Sequence, residues 1–513
     1  MKKGLLAWMG DAWREPPDVV MEDAALPWLR VEHMVLVVWL VSFAVYQLAP
    51  LSDPDTPWHL ATGRYILTHH TVPTTDPFSW TMRGQPWVTQ EWLFETVLAW
   101  LGMHFGFAGL WLLITVVHTA TVLVLYRVCR NQSAGHPVSA AVCACLGTLV
   151  PLVFWTMRPQ MVSYLMFTVF LWILSNVRRG RFRVLWLVPP LMLIWANAHG
   201  SSTIGIFMLL LEVALSFVPR LGRLQPLALP KGARWRLLLA ALVGAGVGLI
   251  NPNSYRAYTY ALLSTNPTMV DNINEWHSPN FHMDIFKYGL LPFLMLSCLI
   301  LMGRRTRLPL RETLYFMGSF GVMLIYQRFA PYMAISAAVL LAPVLAAWVP
   351  RRLCATRFVR MISGLVMFGS LVYFGTQLPE AKGPVDAHWS TGSYPVYAVN
   401  WLEQHHLTSR ILNAYQWGGY LIYRGIPTFV DGRTDIFLQG QNVFSDYLAI
   451  KDVWWNGPDL IDIYKCDVVL FPSGDPVVTY LVHNPEWHVA YQDATAEVLV
   501  RNTVSAPDPQ TGT

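Results

Sequence analysis

Two carboxylates separated by one proline, in the stretch Leu51-Ser52-Asp53-Pro54-Asp55-Thr56-Pro57-Trp58-His59-Leu60, are the first residues here whose types and spacing suit chemistry. They follow an apolar run from Met34 to Ala49. A carboxylate so placed can take a proton from a hydroxyl, share a cation through its oxygens, or cap a helix. Thr56-Pro57 supports the last use, because a hydroxyl residue followed by proline marks a helix start. Asp55 then helps the cap, stabilised by the positive end of the helix. Two acids, a rigid proline between them and His59 close by point past capping toward a site.

Other versatile side chains recur at intervals: Asp76, Glu91 and Glu95; Arg158-Pro159-Gln160; Asn197, His199, Gly200 and Ser201; Asn251 to Tyr255; Glu275 to Phe281; and Gln327 to Tyr332. The framework that must position them is apolar. Of the 513 residues, 54% are hydrophobic and 13% charged, about half the charged share of a soluble domain. Eleven apolar cores stand out, at 34–49, 109–125, 138–155, 161–174, 184–196, 204–218, 237–250, 288–302, 313–326, 333–349 and 361–374. Several fall below the ~20 residues that cross a bilayer, so their flanks must contribute. No small-residue cleavage site follows the first run, which reads as a retained signal anchor. The six cysteines show no metal-ligand spacing and no disulfide framework.

Basic residues orient these spans. The N-terminal segment and the loops near 127–136, 178–183, 220–236, 304–311 and 351–360 hold 23 lysines and arginines. The alternate loops before residue 375 hold six: Arg64, Arg83, Arg158, Arg256, Lys287 and Arg328. Cytoplasmic loops carry the excess, so the N-terminus is expected inside and residues 375–513 outside. The net charge of +5 follows from this bias and implies no nucleic-acid partner. Every polar motif named above then falls on the outer side, as expected of one outward-facing site at the membrane surface.

The expected fold is an α-helical polytopic membrane protein. Residues 1–33 form a cytoplasmic segment and 34–374 a body of about eleven transmembrane helices. The first outer loop, 50–108, has two interfacial helices, near 57–69 and 90–103, rich in the tryptophan that interfaces favour. A linker at 375–393 leads to a small extracytoplasmic α/β domain at 394–502 and a disordered tail at 503–513. In that domain 411–414, 428–430 and 467–471 read as strands of a mainly parallel sheet, 394–406, 443–451, 457–465 and 475–483 as helices, and 487–501 as a hairpin. Asp431-Gly432-Arg433 is a turn, either binding a sugar or phosphate or stabilising its loop by an Asp–Arg pair. Glu212, an acid within a span, is expected to be paired inside the bundle.

The segment from Asp53 to Leu93 resembles bacterial multi-span proteins related to the C-type membrane glycosyltransferases. So do Arg158-Pro159-Gln160, Trp195 to Ser201, Asn251 to Tyr255, Glu275 to Phe281 and Asn413 to Phe437. The resemblance implies a sugar donor on a polyprenyl phosphate, membrane lipid around it, and a glycan, lipid or protein acceptor. It also implies a site on the outer face of a bacterial inner membrane. One of Asp53 and Asp55 would act as base or help bind a metal. The Trp-Trp-Asp motif of oligosaccharyltransferases is absent; Trp454-Trp455-Asn456 departs from it, which argues against asparagine as acceptor.

On this reading Asp55 is the expected base, with Asp53 and Glu91 as the other catalytic carboxylates. Asp53 and Asp55, with Glu91, would hold Mg²⁺ or Mn²⁺ through oxygen ligands. Glu91 alternatively orients a sugar hydroxyl or only starts a helix. Arg158 and Arg328, at the outer ends of spans, would bind phosphate unless they merely snorkel to headgroups. His199 would bind phosphate, share a proton or ligate a metal, or be a satisfied helix-end histidine. His59 and Asn197 complete the expected substrate-binding set. Two other functions fit the same scaffold: a lipid or glycan transporter, and a non-catalytic assembly protein whose outer domain binds a partner. Ionisable residues at mid-membrane and an internal repeat would favour the transporter. Only Glu212 is of that kind, and no repeat is visible.

Overall fold

The structure, a computed structural model, describes residues 30–503 apart from 221, 223, 264–265, 304–307, 350–355 and 441. The expected cytoplasmic segment, except its last residues, and the tail after Thr503 lie outside these residues. Each apolar core carries a helix. Five helices among the described residues are long and apolar enough to cross a membrane: Phe107–Gln132, Gln160–Arg178, Ile285–Met302, Gln327–Trp348 and Arg357–Ala381. The others are shorter, for local reasons. Helix Pro137–Leu149 ends just before Pro151, whose ring fixes the backbone and removes an amide donor. Pro189 and Pro190 open Val188–Ala198.

The bundle packs around Gln327–Trp348, whose apolar window is 78% buried, whereas Arg357–Ala381 is only 6% buried and lies at the periphery. Small residues allow the central approach. A methyl on Gly147 would meet the Cβ of Ala338 at 2.8 Å. At the far end of the bundle from the outer loops, Arg311 lies 3.3 Å from Glu212 and 2.6 Å from Glu312, and Arg178 lies 2.9 Å from Glu312. Glu212 is thus paired inside the bundle, as expected. The same end carries the two-residue strands β1 (Leu224–Gln225) and β2 (Leu308–Pro309), which pair in parallel.

The segment expected to be the first outer loop folds into two helices, Thr56–His69 and Trp92–Phe105, packed on each other. Gly63 allows this contact, since any Cβ there would strike the Glu95 carbonyl and lie 2.7 Å from Ala99. The helix start differs from expectation. Thr56 is already helical and does not cap. Asp53 Oδ1 instead accepts from the amides of Asp55 (3.0 Å) and Thr56 (3.1 Å) and from the Thr56 hydroxyl (3.3 Å).

The C-terminal domain holds four strands, β3 (Ile411–Asn413), β4 (Val468–Phe471), β5 (Trp487–Gln492) and β6 (Glu497–Arg501), in the order β3-β4-β6-β5. Only β3 and β4 are parallel; the β5–β6 hairpin adds antiparallel to β4. The sheet is therefore mixed, because the last connection is a tight hairpin that cannot make a parallel crossover. Residues 428–430 form no strand of this sheet. The buried Asn413 takes over their pairing, accepting from the Phe429 amide at 2.8 Å and donating to the Val430 carbonyl at 2.9 Å.

This region is fastened to the first outer segment. Trp80 donates to the Ile411 carbonyl at 3.2 Å and Thr81 to the Phe429 carbonyl at 2.6 Å. The main tie is Arg433, 1% exposed, with Asp76 at 2.6 Å and Asp431 at 2.7 Å. Its guanidinium lies between the rings of Phe78 (5.1 Å) and Trp87 (4.7 Å). Of the two uses open to Asp431-Gly432-Arg433, the pair is the one seen. Arg433→Met leaves two buried carboxylates without their cation, though each keeps hydrogen bonds from its own loop, a change that costs about 3–5 kcal/mol. The expected result is a matching loss in denaturant-unfolding stability of the purified chain. A loss under about 1 kcal/mol would show that the tie does not hold the two regions together.

Candidate functional site

The outer ends of the bundle helices, the first outer segment and the C-terminal region enclose a cavity of about 770 Å³. Its lining draws Asp55, His59, Glu91 and Glu95 from the two packed helices and Arg158 from the turn before Gln160–Arg178. His199 comes from the break after Val188–Ala198, Glu275 from the loop before Ile285–Met302, and Arg328 from the start of Gln327–Trp348. Tyr415, Gly432 and Asp435 close it from the C-terminal region. The motifs that topology sorts to one side thus meet in one place, apart from Asn251 to Tyr255, which stay outside the lining.

Asp55 is held on both oxygens. Trp58 Nε1 donates to Oδ1 at 3.1 Å, and Arg158 Nη2 lies 2.5 Å from Oδ2. Burial pushes its carboxyl up to about 6; Arg158 opposes the rise, and Asp53 and Glu275 add to it. Arg158 also binds Glu275 directly and stands 3.5 Å from Asp53. Gly432 is required beside this group, because a Cβ there would collide with Asp55 Oδ1 and lie 2.9 Å from Trp58 Nε1.

One helical turn deeper, His59 Nδ1 lies 3.0 Å from Glu95 and 3.8 Å from Glu91. Burial, with Arg158 and His199 adding to it, holds His59 well below the usual histidine range. Burial raises Glu91 to about 8, against the pull of Arg158, and raises Glu95 well above the usual carboxylate range, with Glu91 adding. Glu91 Oε1 stands 3.5 Å from His199 Nε2. The other His199 nitrogen lies 2.8 Å from the hydroxyls of both Ser163 and Ser201. Burial, reinforced by Arg328 and Arg158, brings His199 down to about 3. Arg328 lies 4.4 Å from the Trp276 ring. Arg328 makes no ion pair with a carboxylate among the described residues.

Two expectations change. Asn197 does not face the cavity. Its Oδ1 accepts from Trp92 at 2.8 Å, and its amide donates to the carbonyls of Leu193 (2.8 Å) and Ile250 (3.0 Å), so all its polar atoms serve to join helices. Asp53 and Asp55 are engaged by protein groups and are not gathered with a third ligand among the described residues. The Asp53 Oδ1 is used by backbone amides, its Oδ2 faces Arg158, and both Asp55 oxygens are occupied. The metal-ligand spacing lies with His59, Glu91 and Glu95, whose ligand atoms fall within 4.8 Å of one another. Glu95, Glu275, Tyr415 and Asp435 were not among the expected site residues. Glu95 had a readable signal, since it follows Glu91 by four residues and so shares its helix face. His59 stands in the same relation to Asp55.

The arrangement of these helices decides the fold comparison. The chain shares the fold of the C-type membrane glycosyltransferases. No family model matches it, and no curated protein matches it. The oligosaccharyltransferase AglB of Archaeoglobus fulgidus, solved with an inhibitory peptide and a dolichol-phosphate, superposes at a TM-score of 0.54 and 10% identity over 86% of this chain and 69% of that one. The oligosaccharyltransferase of the same organism, tethered with an acceptor peptide containing the NVT sequon, gives 0.52 and 10% over 87% and 70%. ArnT of Cupriavidus metallidurans, bound to undecaprenyl phosphate, gives 0.47 and 17% over 93% and 98%.

The state of Asp55 is directly measurable. In infrared difference spectra, a protonated-carboxyl band with a midpoint near pH 6 is expected in the native chain and should lose intensity in Asp55→Asn, the remainder coming from Asp435, which burial also raises to about 6. An unchanged band in that variant would remove Asp55 as its source.

Proposed function

We propose that the chain is a membrane glycosyltransferase. It moves a sugar from a polyprenyl-phosphate donor to an acceptor hydroxyl on the outer face of a bacterial inner membrane, with the N-terminus inside and the C-terminal domain outside. The observation that carries this reading is the two-sided lining of the cavity. Bundle helix ends supply Ile204, Val322 and Phe329, while the outer segments supply Asp55, Glu91, Tyr415 and Asp435. A lipid chain suits the first set and a sugar phosphate the second. The shared fold supports the same class of reaction.

In this scheme Asp55 takes the proton of the acceptor hydroxyl as that oxygen bonds to the anomeric carbon. The bond from that carbon to the phosphate oxygen breaks, and its electron pair leaves with the phosphate. Arg328, free of carboxylate partners among the described residues, receives the developing charge. Arg158 is occupied by three carboxylates and serves to hold Asp55 in place. Asp53 positions the helix start that carries Asp55.

Proton removal by a positioned base contributes ~10²–10⁴-fold. Asp55→Asn should therefore lower transfer by about 10³-fold in lipid with a panel of polyprenyl-phosphate sugars, while the fold is kept. Asp53→Asn should cost about 1 kcal/mol of stability, as loss of a cap does, and far less of the rate. The working form of Asp55 is the carboxylate, so the rate should fall about tenfold per pH unit below about 6 and level off above it. Turnover in Asp55→Asn equal to the native chain would sink the assignment. No turnover with any donor would favour the transporter or assembly readings.

A further inference from the structure

We infer that His59, Glu91 and Glu95 form a divalent-cation site of the zinc class, one helical turn below Asp55 and separate from it. It stands whether or not the chain transfers sugar. Three observations support it. The donor atoms are already gathered: one nitrogen and two carboxylates with ligand atoms within 4.8 Å. The carboxylate of Glu95, 1% exposed, sends Oε1 to His59 Nδ1, while its Oε2 is buried with no hydrogen-bond partner. A buried carboxylate oxygen left unpaired carries its full desolvation penalty, and a metal ion is a partner that would remove it. No arginine pairs with these carboxylates among the described residues: Arg158 is occupied by Asp53, Asp55 and Glu275, Arg433 by Asp76 and Asp431, and Arg328 stands against the Trp276 ring.

The ligand set selects the ion. Mixed imidazole and carboxylate donors suit zinc and its first-row neighbours, whereas magnesium and calcium prefer oxygen alone. Three protein ligands are the number used where one position stays open. All three residues border the cavity, so an open position would face its contents. The ligands come from two helices, Thr56–His69 and Trp92–Phe105, with Glu91 at the start of the second, so a bound ion would clamp the pair that frames Asp55.

The test uses the full chain in lipid nanodiscs, stripped with chelator and titrated with Co²⁺ and then Zn²⁺. The expected result is one equivalent of Co²⁺ with visible ligand-field absorption, displaced by Zn²⁺, and a higher unfolding temperature with metal. Glu95→Gln, nearly the same shape, should weaken binding at least 100-fold, and His59→Asn should do the same. Asp55→Asn should bind within about threefold of the native chain, even though it loses transfer if Asp55 is the base. Lack of a cobalt spectrum in the native chain overturns the site without reference to any variant. So does native-like binding by Glu95→Gln, or an equal loss in Asp55→Asn, which would place the metal on the upper carboxylates.

Discussion

The guanidinium of Arg158 is the point on which the outer face depends. It is 13% exposed and meets carboxylates from two other segments: Asp53 and Asp55 from the first outer loop, and Glu275 from the loop before the helix Ile285–Met302. A charge this deep is tolerated only when paired, so those segments cannot leave it without a large cost. Its own position is fixed by Pro159 at the start of the helix Gln160–Arg178. The cavity therefore has a wall whose shape is set by charge pairing, with Asp55, Arg158 and Glu275 of the cluster all reaching its lining. The rise in the Asp55 carboxyl follows from that crowding: burial and two neighbouring acids outweigh one arginine.

The C-terminal domain completes the wall by close approach. A side chain at Gly418 would strike the Val430 carbonyl, one at Gly419 would lie 2.5 Å from the Pro54 carbonyl, and one at Gly432 would strike Asp55. Tyr394 adds a hydroxyl donated to the Asp53 carbonyl. The turn that carries both aspartates is thus pressed from outside by glycines and held from inside by Arg158. Arg433, on the same strip as Gly432, is tied to Asp76 in the first outer loop. Through these contacts the outer loop and the C-terminal domain form a single surface around Asp55.

Much of this was legible in the sequence, for identifiable reasons. Hydropathy marks a buried or lipid-facing helix whatever its partners, so every apolar core carries a helix. The positive charges sort the loops, so the residues near the cavity could be grouped before any contact was known. The packed pair of helices Thr56–His69 and Trp92–Phe105 was visible in its apolar and tryptophan pattern. What failed was local donor assignment. Asp53 and Asp55 look alike in sequence, and only the backbone path shows that Asp53 takes the amides while Asp55 faces the cavity. Asn197 reads as a site residue because it neighbours His199, yet Trp92, distant in sequence, claims its oxygen. Thr428 to Val430 has strand composition, but its backbone is claimed outside the sheet: Thr428 bridges to Ser79, and the buried Asn413 takes Phe429 and Val430. Such outcomes depend on contacts between residues far apart along the chain.

The acidity of the cavity calls for a reason, since an anionic donor is expected to enter it. Asp55, Glu91, Glu95, Glu275 and Asp435 line it against Arg158 and Arg328, Arg433 being engaged elsewhere. Full ionisation of all five would repel a phosphate strongly. Burial lessens the conflict by raising Glu91 to about 8 and Glu95 well above the usual carboxylate range, so these two hold protons near neutrality, while Asp55 and Asp435, raised only to about 6, stay largely ionised. For the base role proposed for Asp55 the same burial is an advantage, because a carboxylate left near 3.8 holds a proton too weakly to take one from a hydroxyl efficiently. Arg328 is then the one cavity arginine without a carboxylate partner among the described residues, and it starts the most buried of the five long apolar helices. In the proposed reaction, removing water from one site would therefore serve both ends of the displacement: a stronger base at the acceptor and an unshared cation at the leaving group.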